Sequence, residues 1–444
     1  MVAFSKESIV TNPARLSTSL LRGGLRVRAF AVTLLCALTV TLAQPAEAQT
    51  FAVAHTFTGG GDGFQPEAGL AMDAGGNLYG TTKYGAAGYG TVYKLSHHGT
   101  AWILSNLHEF AVGFDGAGPE APVVFGPDGS LYGSTVYGGG TSEICTGGCG
   151  ILFNLQPSAS APRSVSPQWN ENTFHHFLGT PDGANPTFGN LVFDSSGTIY
   201  GTSPFGGQMQ GCNQGGCGTV FKAARSGGSW TESVVYAFTG ERDGAQPYGN
   251  ITFDSNGSLY STTHQGGVDD LGTVFQLTPT QTGWVKTTVH DFTGGSDGSL
   301  PYAGLISDGA GNLYGTTSAG GSSNAGVVFE LTRNGSGWDF RVLHTFIGCS
   351  TCGPIAPLAV DATGNLYGTT LATGGPGDGV VFELSPSEGG WIYSILHQFT
   401  GGSDGAFPVA PVLIDGSGNL YGTAMLGGDG SCGDGCGVVW EITR

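Results

Sequence analysis

The stretch Gly76-Asn77-Leu78-Tyr79-Gly80-Thr81-Thr82 decides the fold, because six further versions of it follow along the chain. A Gly lies three positions before each Tyr, and an Asp lies six positions before it in six copies, with Gly126 as the exception. The spacings are 53, 68, 60, 54, 53 and 54 residues, and the repeats are centred on Tyr79, Tyr132, Tyr200, Tyr260, Tyr314, Tyr367 and Tyr421. Such a period indicates one repeat array.

Each copy contains three further segments that are typical of strands. A short apolar stretch such as 303–306 precedes the phrase, Gly-Thr-Val-Phe or its equivalent follows it, and a Trp-led segment ending in His-x-Phe, such as 338–346, closes the unit. These segments are rich in Val, Leu, Thr and aromatic residues and are bounded by Gly, Asp, Asn or Pro. The pattern therefore predicts four strands per unit.

Seven four-stranded units predict an all-β fold, a seven-bladed β-propeller over residues 49–444. A β-helix is the alternative, because it is also Gly-rich, but its coils are much shorter than 53 residues. The region opens with a fourth-strand segment, 51–57, and ends after a third-strand segment at Ile442. We therefore expect the N-terminal strand to complete the blade of Tyr421 and to close the ring, which removes a free sheet edge.

The repeated phrase, followed by Gly-Gly and by Gly-Thr-Val-Phe-x-Leu, resembles the bacterial tandem-repeat family called GloVer, whose members are described as "choice-of-anchor" proteins. The resemblance covers residues 51–444 through seven matches. It implies a secreted repeat protein, and it implies no catalytic residue.

Composition and charge narrow the class of protein. The chain of 444 residues has 81 Gly, 39% hydrophobic residues and only 11% charged residues. Residues 1–48 are predicted to be a signal peptide, since an Arg-rich stretch precedes the apolar run 29–42 and an Ala46-Glu47-Ala48 cleavage pattern. An uncleaved membrane anchor is the alternative. Residues 49–444 contain 10 Lys and Arg and 31 Asp and Glu, which gives a strongly negative net charge. Because such a surface repels a phosphate backbone, nucleic acid is excluded as a partner.

Candidate binding residues recur on one face. In a four-stranded blade, the loops between strands two and three and the loops between blades emerge on the same face, which we call the loop face. The blade-to-blade loops contain Asp-Gly, at Asp62, Asp115, Asp182, Asp243, Asp297 and Asp404. Near the end of strand four, Tyr236 replaces a recurrent His, present as His55, His108, His176, His290, His344 and His397. We expect any binding site to open there.

Both sets also allow a purely structural role. A His repeated once per blade satisfies a hydrogen bond more often than it binds metal, and six imidazoles on separate blades lie too far apart to share one zinc ion. Asp-Gly is typical of turns, although carboxylate oxygens also suit calcium. We therefore expect no resident metal or cofactor, with calcium left open. The six Asp residues, His108, His290, His344 and His397 are the candidate ligand contacts.

The cysteines indicate local disulfides. Cys36 lies in the predicted signal peptide, and the other eight form close pairs: Cys145 with Cys149, Cys212 with Cys217, Cys349 with Cys352, and Cys432 with Cys436. An even count in an exported chain favours disulfides. Zinc bound by two pairs is the alternative.

Several known catalytic motifs are absent from the sequence: it has no His-Glu-x-x-His, no phosphate loop and no dinucleotide fingerprint in a strand-helix setting. A carboxylate pair for glycoside cleavage is set in space and leaves no such motif. Five charged residues depart from the repeat pattern, and we interpret them as surface variation: Glu120, Glu143, Glu171, Glu241 and Arg242.

These observations predict a secreted or periplasmic repeat protein that acts as a binding or structural module through the loop face. The alternative is an extracellular hydrolase or lyase acting on a glycan or another polymer at the same face; a cofactor-dependent oxidoreductase is a third class. The expected partner is an extracellular glycan or protein. We expect a monomer without a membrane span after signal cleavage.

Overall fold

The computed structural model describes residues 49–85, 87–157, 169–212, 215–348, 352–372, 378–428 and 430–444. These residues form seven four-stranded antiparallel sheets, which are the blades of a β-propeller. The predicted all-β, seven-bladed fold is confirmed. The predicted signal peptide, residues 1–48, lies outside the described residues and stays a prediction.

In blades 1 to 6 the four strands follow one another along the chain, so that neighbours in sequence are neighbours in the sheet. Blade 1 consists of β2 Ala71–Met72, β3 Leu78–Thr82, β4 Thr91–His98 and β5 Ala101–Glu109. Blade 2 consists of β6 Val124–Phe125, β7 Leu131–Thr135, β8 Ile151–Pro157 and β9 Trp169–His176. Blade 3 consists of β10 Val192–Phe193, β11 Ile199–Ser203, β12 Thr219–Ser226 and β13 Ser229–Ala237. Blade 4 consists of β14 Thr252–Phe253, β15 Leu259–Thr263, β16 Thr273–Thr280 and β17 Gly283–Asp291. Blade 5 consists of β18 Ile306–Ser307, β19 Leu313–Thr317, β20 Val327–Asn334 and β21 Gly337–Thr345. Blade 6 consists of β22 Ala359–Val360, β23 Leu366–Thr370, β24 Val380–Ser387 and β25 Gly390–Gln398. Blade 7 consists of β26 Leu413–Ile414, β27 Leu420–Ala424 and β28 Val438–Thr443, with β1 Thr50–Thr56.

The N-terminal strand closes the ring, as the sequence predicts. Strand β1 pairs antiparallel with β28, with Phe51 opposite Ile442, and supplies the outer strand of blade 7. A hydroxyl on the second strand of each blade donates to a backbone carbonyl of the next blade, and the Thr423 hydroxyl donates to the Ala68 carbonyl at 3.0 Å across the closure. Blade 7 thus contacts blade 1 as blade 6 contacts blade 7, where Thr369 donates to Ala410.

The repeated phrase forms the hairpin between strands one and two. Asp73 accepts hydrogen bonds from the backbone amides of Gly75 and Asn77, and the Tyr79 hydroxyl donates to its carboxylate at 2.9 Å. Where the usual Asp is replaced in blade 2, Asp128 accepts from Tyr132 instead. A carboxylate therefore orders this turn in the exceptional copy as well.

The core lies between neighbouring blades. Between blades 7 and 1, for example, Leu78 and Tyr93 pack with Tyr421 and Val439. The Gly in the phrase is required by this packing, because a Cβ at Gly80 would lie 2.4 Å from the Tyr93 hydroxyl.

Helices are nearly missing from the described residues, which contain only the short 3-10 turns Gly113–Asp115 and Gly430–Cys432. None of the helices found there has the length and hydrophobicity needed to cross a membrane.

Candidate functional site

The loop face has the composition that the topology predicts. Isolated β-bridges join each described Asp-Gly loop to the loop between strands two and three of the following blade, for example Phe64 with Tyr84 and Ser299 with Ala319. Both kinds of loop therefore lie together on one face.

The recurrent His and Asp residues pair with each other seven positions apart. The His Nε2 to carboxylate oxygen distances are 3.4 Å for His55–Asp62, 3.0 Å for His108–Asp115, 3.2 Å for His175–Asp182, 3.1 Å for His290–Asp297 and 3.1 Å for His397–Asp404. The Tyr236 hydroxyl donates to Asp243 at 3.0 Å in the same way. In blade 2 the paired residue is His175. The assignment of His176 to this set was wrong, because the β-bulge before the strand end places His175 opposite Leu152, where the other blades have their His or Tyr.

The same carboxylates order the blade-to-blade turns. Asp297 accepts from the backbone amide of Thr293 at 3.0 Å and from its hydroxyl, and these bonds help to keep the pKa of Asp297 below its usual value although burial acts in the opposite direction. Asp404 contacts Thr400 in the same manner. The candidate ligand residues of the rim therefore have internal partners, and ligand binding by them stays a prediction.

His344 is the exception in the His set, because its blade-to-blade loop has cysteines in place of Asp-Gly. Its ring stacks on Tyr393 of the next blade, with ring centres 4.2 Å apart. Cys352 is disulfide-bonded. Cys349, its predicted partner, lies outside the described residues.

Three predicted disulfides are confirmed: Cys145–Cys149, Cys212–Cys217 and Cys432–Cys436. Each packs against the following blade-to-blade loop; a Cβ at Gly240, for example, would lie 2.1 Å from the sulfur of Cys212. The disulfides thus brace the rim of the loop face, and their presence is typical of an oxidising compartment.

A second group of residues lies at the inner ends of the blades, where the segment after each Asp-Gly loop leads into the innermost strand. The inner segments of neighbouring blades meet there, since a Cβ at Gly69 would lie 2.7 Å from Pro411 and 3.4 Å from Pro122. In every blade a Pro begins this segment, and the residue after it varies: Glu67, Glu120, Thr187, Tyr248, Tyr302, Ile355 and Val409. This variation breaks the symmetry of the ring.

One side of the inner ring contains two carboxylates that share a single cation. Lys83 Nζ lies 3.2 Å from Glu67 and 2.9 Å from Glu120, whose side chains are each 7% exposed. Burial raises the pKa of Glu67, and the charge of Glu120 raises it further, whereas Lys83 lowers it. Burial disfavours the charged form of Lys83, but Glu120 and Glu67 together raise its pKa. This is a buried, net negative group.

The other side of the inner ring is aromatic. His264 lies directly after β15, and its ring centre is 4.1 Å from that of Tyr302 and 5.7 Å from that of Tyr248. Burial lowers the pKa of His264 to about 4, against the opposing effect of the backbone at Leu300 and Pro301, so its imidazole is neutral at pH 7.

The two sides are electrostatically connected. The pKa of Tyr248 is raised by burial, then by Tyr302, and then by the charge of Glu120. We call Glu67, Lys83, Glu120, Tyr248, His264 and Tyr302 the central cluster.

Most of this cluster was not predicted from the sequence. The interpretation of Glu120 as surface variation is wrong, because Glu120 is only 6% exposed and pairs with Lys83. Glu143, Glu241 and Arg242 are exposed. Aligning the repeats on the Pro of each inner segment would have revealed the variable position that follows it.

The fold and the loop face define the chain as a β-propeller repeat protein. Residues 141–310 and 287–444 match the family described as the Gloeobacter/Verrucomicrobia repeat. The chain belongs to this family, which confirms the resemblance seen in the sequence. Comparison with curated proteins finds no match.

Solved structures share the architecture. A fungal alcohol oxidase of the AA5 family in complex with copper is 12% identical, with a TM-score of 0.50 over 88% of this chain and 76% of that one. The polysaccharide lyase Uly1 is 11% identical, with a TM-score of 0.47 over 84% of this chain and 89% of that one. At such identities the first similarity shows the fold alone, and the second is too low to support any argument.

Proposed function

We propose that this protein is a binding module that holds a neutral, hydroxyl-rich ligand of glycan type at the central cluster of its loop face. One observation carries the proposal: the inner ring departs from the repeat in a buried carboxylate pair on one side and in two tyrosines with a neutral histidine on the other. The repeat needs no such residues, since Ile355 and Val409 occupy the same position in blades 6 and 7.

The chemistry of the cluster suits a sugar. Tyr302 and Tyr248 offer ring faces and hydroxyl groups, and Glu67 and Glu120 accept hydrogen bonds from ligand hydroxyls. The net charge of −18 over the whole chain opposes an anionic ligand. Lys83 is already held by two carboxylates, which leaves it poorly placed to bind a sulfate or phosphate.

A glycan array probed with the protein, with and without calcium, tests the proposal and identifies the ligand class. Calorimetry with the best glycan then compares two substitutions in the cluster, Tyr302→Ala and Glu120→Gln, each expected to weaken binding at least about 10-fold. Phe114→Ala is the matched control, because Phe114 is an aromatic residue of the rim that is 74% exposed. Its affinity should equal that of the unchanged protein.

Two results would contradict the proposal: an array without any bound glycan, or glycan binding that Phe114→Ala weakens as much as Tyr302→Ala does. The second result would indicate that the glycan binds at the rim of the loop face. A requirement for calcium would indicate that the Asp-Gly loops take part in binding.

One observation favours the alternative, a hydrolase or lyase acting on the same class of ligand. The contacts to Lys83 bring carboxylate oxygens of Glu67 and Glu120 within about 6 Å of each other, and the pKa of Glu67 is raised. Paired carboxylates with different proton affinities perform acid-base catalysis. Release of reducing ends or of unsaturated sugars, abolished in Glu67→Gln while binding persists, would establish this alternative.

We further propose that the protein is exported, to the periplasm or beyond the cell. The three described disulfides support this location. Fractionation of the native host, with the N-terminus of the protein determined by sequencing, would test both export and cleavage after Ala48.

A further inference from the structure

The grooves between blades contain a second repeated contact. The recurrent His of one blade packs against a residue of the next blade. That residue lies four positions before the recurrent His or Tyr of the next blade. Three of these contacts are stacked rings: Phe340 on His290 at 4.0 Å, Tyr393 on His344 at 4.2 Å and Phe51 on His397 at 3.5 Å. An aromatic residue is thus the commonest residue type that packs on this His.

Blade 3 departs from this solution, because Glu232 occupies the position. His175 and Asp182 belong to blade 2 and to the turn that follows it, and Glu232 lies on β13. Ligand atoms of the three side chains all lie within 4.8 Å of one another. One imidazole nitrogen and two carboxylates therefore converge where three other grooves have a stacked ring.

Glu232 has an unsatisfied oxygen in this place. Its Oε1 is buried and has no hydrogen-bond partner among the described residues. The preceding groove provides the comparison: Glu171 is the equivalent residue, and its Oε1 accepts from the Thr173 hydroxyl at 2.8 Å. The residue equivalent to Thr173 is Val234, which has no donor. A buried carboxylate oxygen without a partner is costly, and a cation would satisfy it.

From this geometry we infer a zinc-type divalent metal site formed by His175, Asp182 and Glu232 between blades 2 and 3. One nitrogen and two carboxylate ligands suit Zn²⁺. Calcium and magnesium prefer six or more oxygen ligands, so this set disfavours them. The site is separate from the central cluster, and it departs from the expectation of no resident metal.

Without a cation, burial raises the pKa of Glu232 to about 7, with His175 lowering and Asp182 raising it to smaller extents. A hydrogen bond from a protonated Glu232 to a neighbour is the competing arrangement, and metal titration distinguishes the two.

The repeats themselves provide the test variants. Glu232→Phe installs the residue found at this position as Phe340, and His175→Tyr installs the residue found as Tyr236, whose hydroxyl bonds to its Asp. Both variants remove a ligand and keep a side chain that the fold accepts. Glu171→Gln is the matched control in the preceding groove.

The experiment is calorimetric titration of untagged, chelator-treated protein with ZnCl₂, followed by cobalt substitution and absorption spectroscopy. We expect one Zn²⁺ per chain, at least about 30-fold weaker binding in Glu232→Phe and His175→Tyr, and unchanged binding in Glu171→Gln. The cobalt form should show visible bands that both ligand variants lose. Absence of 1:1 binding, unchanged binding in Glu232→Phe, or equal loss in Glu171→Gln would overturn the inference.

Discussion

Blade 4 contains a half-buried histidine and a buried one, and their surroundings differ. His290 lies in β17, and although burial lowers its pKa, Asp297 at 3.1 Å opposes that effect. His264 follows β15, its pKa falls to about 4, and its Nδ1 has no hydrogen-bond partner in the described part of the chain. The first belongs to the repeat and orders a turn. The second is unique to its blade, and such unrepeated residues are where we expect function.

The comparison teaches that the repeated residues stabilise the ring, whereas the departures from the repeat leave polar groups for ligands. The following predictions test this division.

The largest effect should come from removing a repeated element. Deletion of residues 49–58 removes β1, leaves β28 as an open edge and removes the stacking contact of Phe51 with His397. We expect a loss of about 4 kcal/mol or more, seen as a fall in Tm of roughly 5 °C or more. Val53→Ala, on the exposed side of the same strand, is the control and should change Tm little. A deletion protein that melts like the intact one would disprove the closure.

A smaller effect is expected at the central cluster. Lys83→Met leaves Glu67 and Glu120 buried without their cation, which should cost about 3 kcal/mol at pH 7. Because the pKa of Glu67 is raised in the folded state, the folded protein takes up its proton more readily, and the cost should shrink as the pH falls towards 4.

Urea unfolding at pH 7 and pH 4 measures this effect. Lys94→Met is the control, since Lys94 lies over the Tyr79 ring and has no described carboxylate partner. A pH-independent cost of Lys83→Met would show that the carboxylates are not responsible.

His264 should make stability sensitive to pH in the opposite direction. Its pKa is lowered on folding, so its contribution is fully present above pH 6.5 and is lost as the pH falls towards 4. His264→Phe should remove about 2 kcal/mol of this acid-dependent loss, measured by urea unfolding at pH 7 and pH 4.5. His98→Gln, at an exposed position, should leave the pH dependence unchanged. An identical pH dependence in His264→Phe would refute the assignment.

The smallest effect is expected at one repeated turn. Asp297→Ala should cost about 1 kcal/mol through the lost bonds to Thr293 and His290, while the affinity for any glycan stays nearly unchanged. In the one junction without Asp-Gly, cysteines replace the Asp; they can brace a turn but cannot replace a calcium ligand. A calcium-dependent rise in Tm that Asp297→Ala abolishes would show instead that the loop face binds cations.

The features that could be predicted are those that recur. The hairpin that contains Asp73 and Tyr79 occurs seven times with the same Gly and Tyr spacing. The repetition predicts the strands even where one copy alone would not. The disulfides could be predicted because their partners are four or five residues apart. His176 was assigned wrongly because a β-bulge precedes it. At a bulge one strand contains an extra residue, so counting along the sequence does not give the residue that faces the neighbouring strand.

By itself, the sequence determined the number of blades, the four strands in each, the closing role of the N-terminal strand and the local disulfides, because each depends on periodicity or on short separation. Only the tertiary structure decided that Glu67, Lys83 and Glu120 form one group, and that Glu232 meets His175 and Asp182. Each group joins residues of two neighbouring blades, and Glu67, Lys83, Glu120 and Glu232 are not repeated from blade to blade. Their proximity follows from the packing of neighbouring blades, which brings distant segments together at the inner ends and in the grooves.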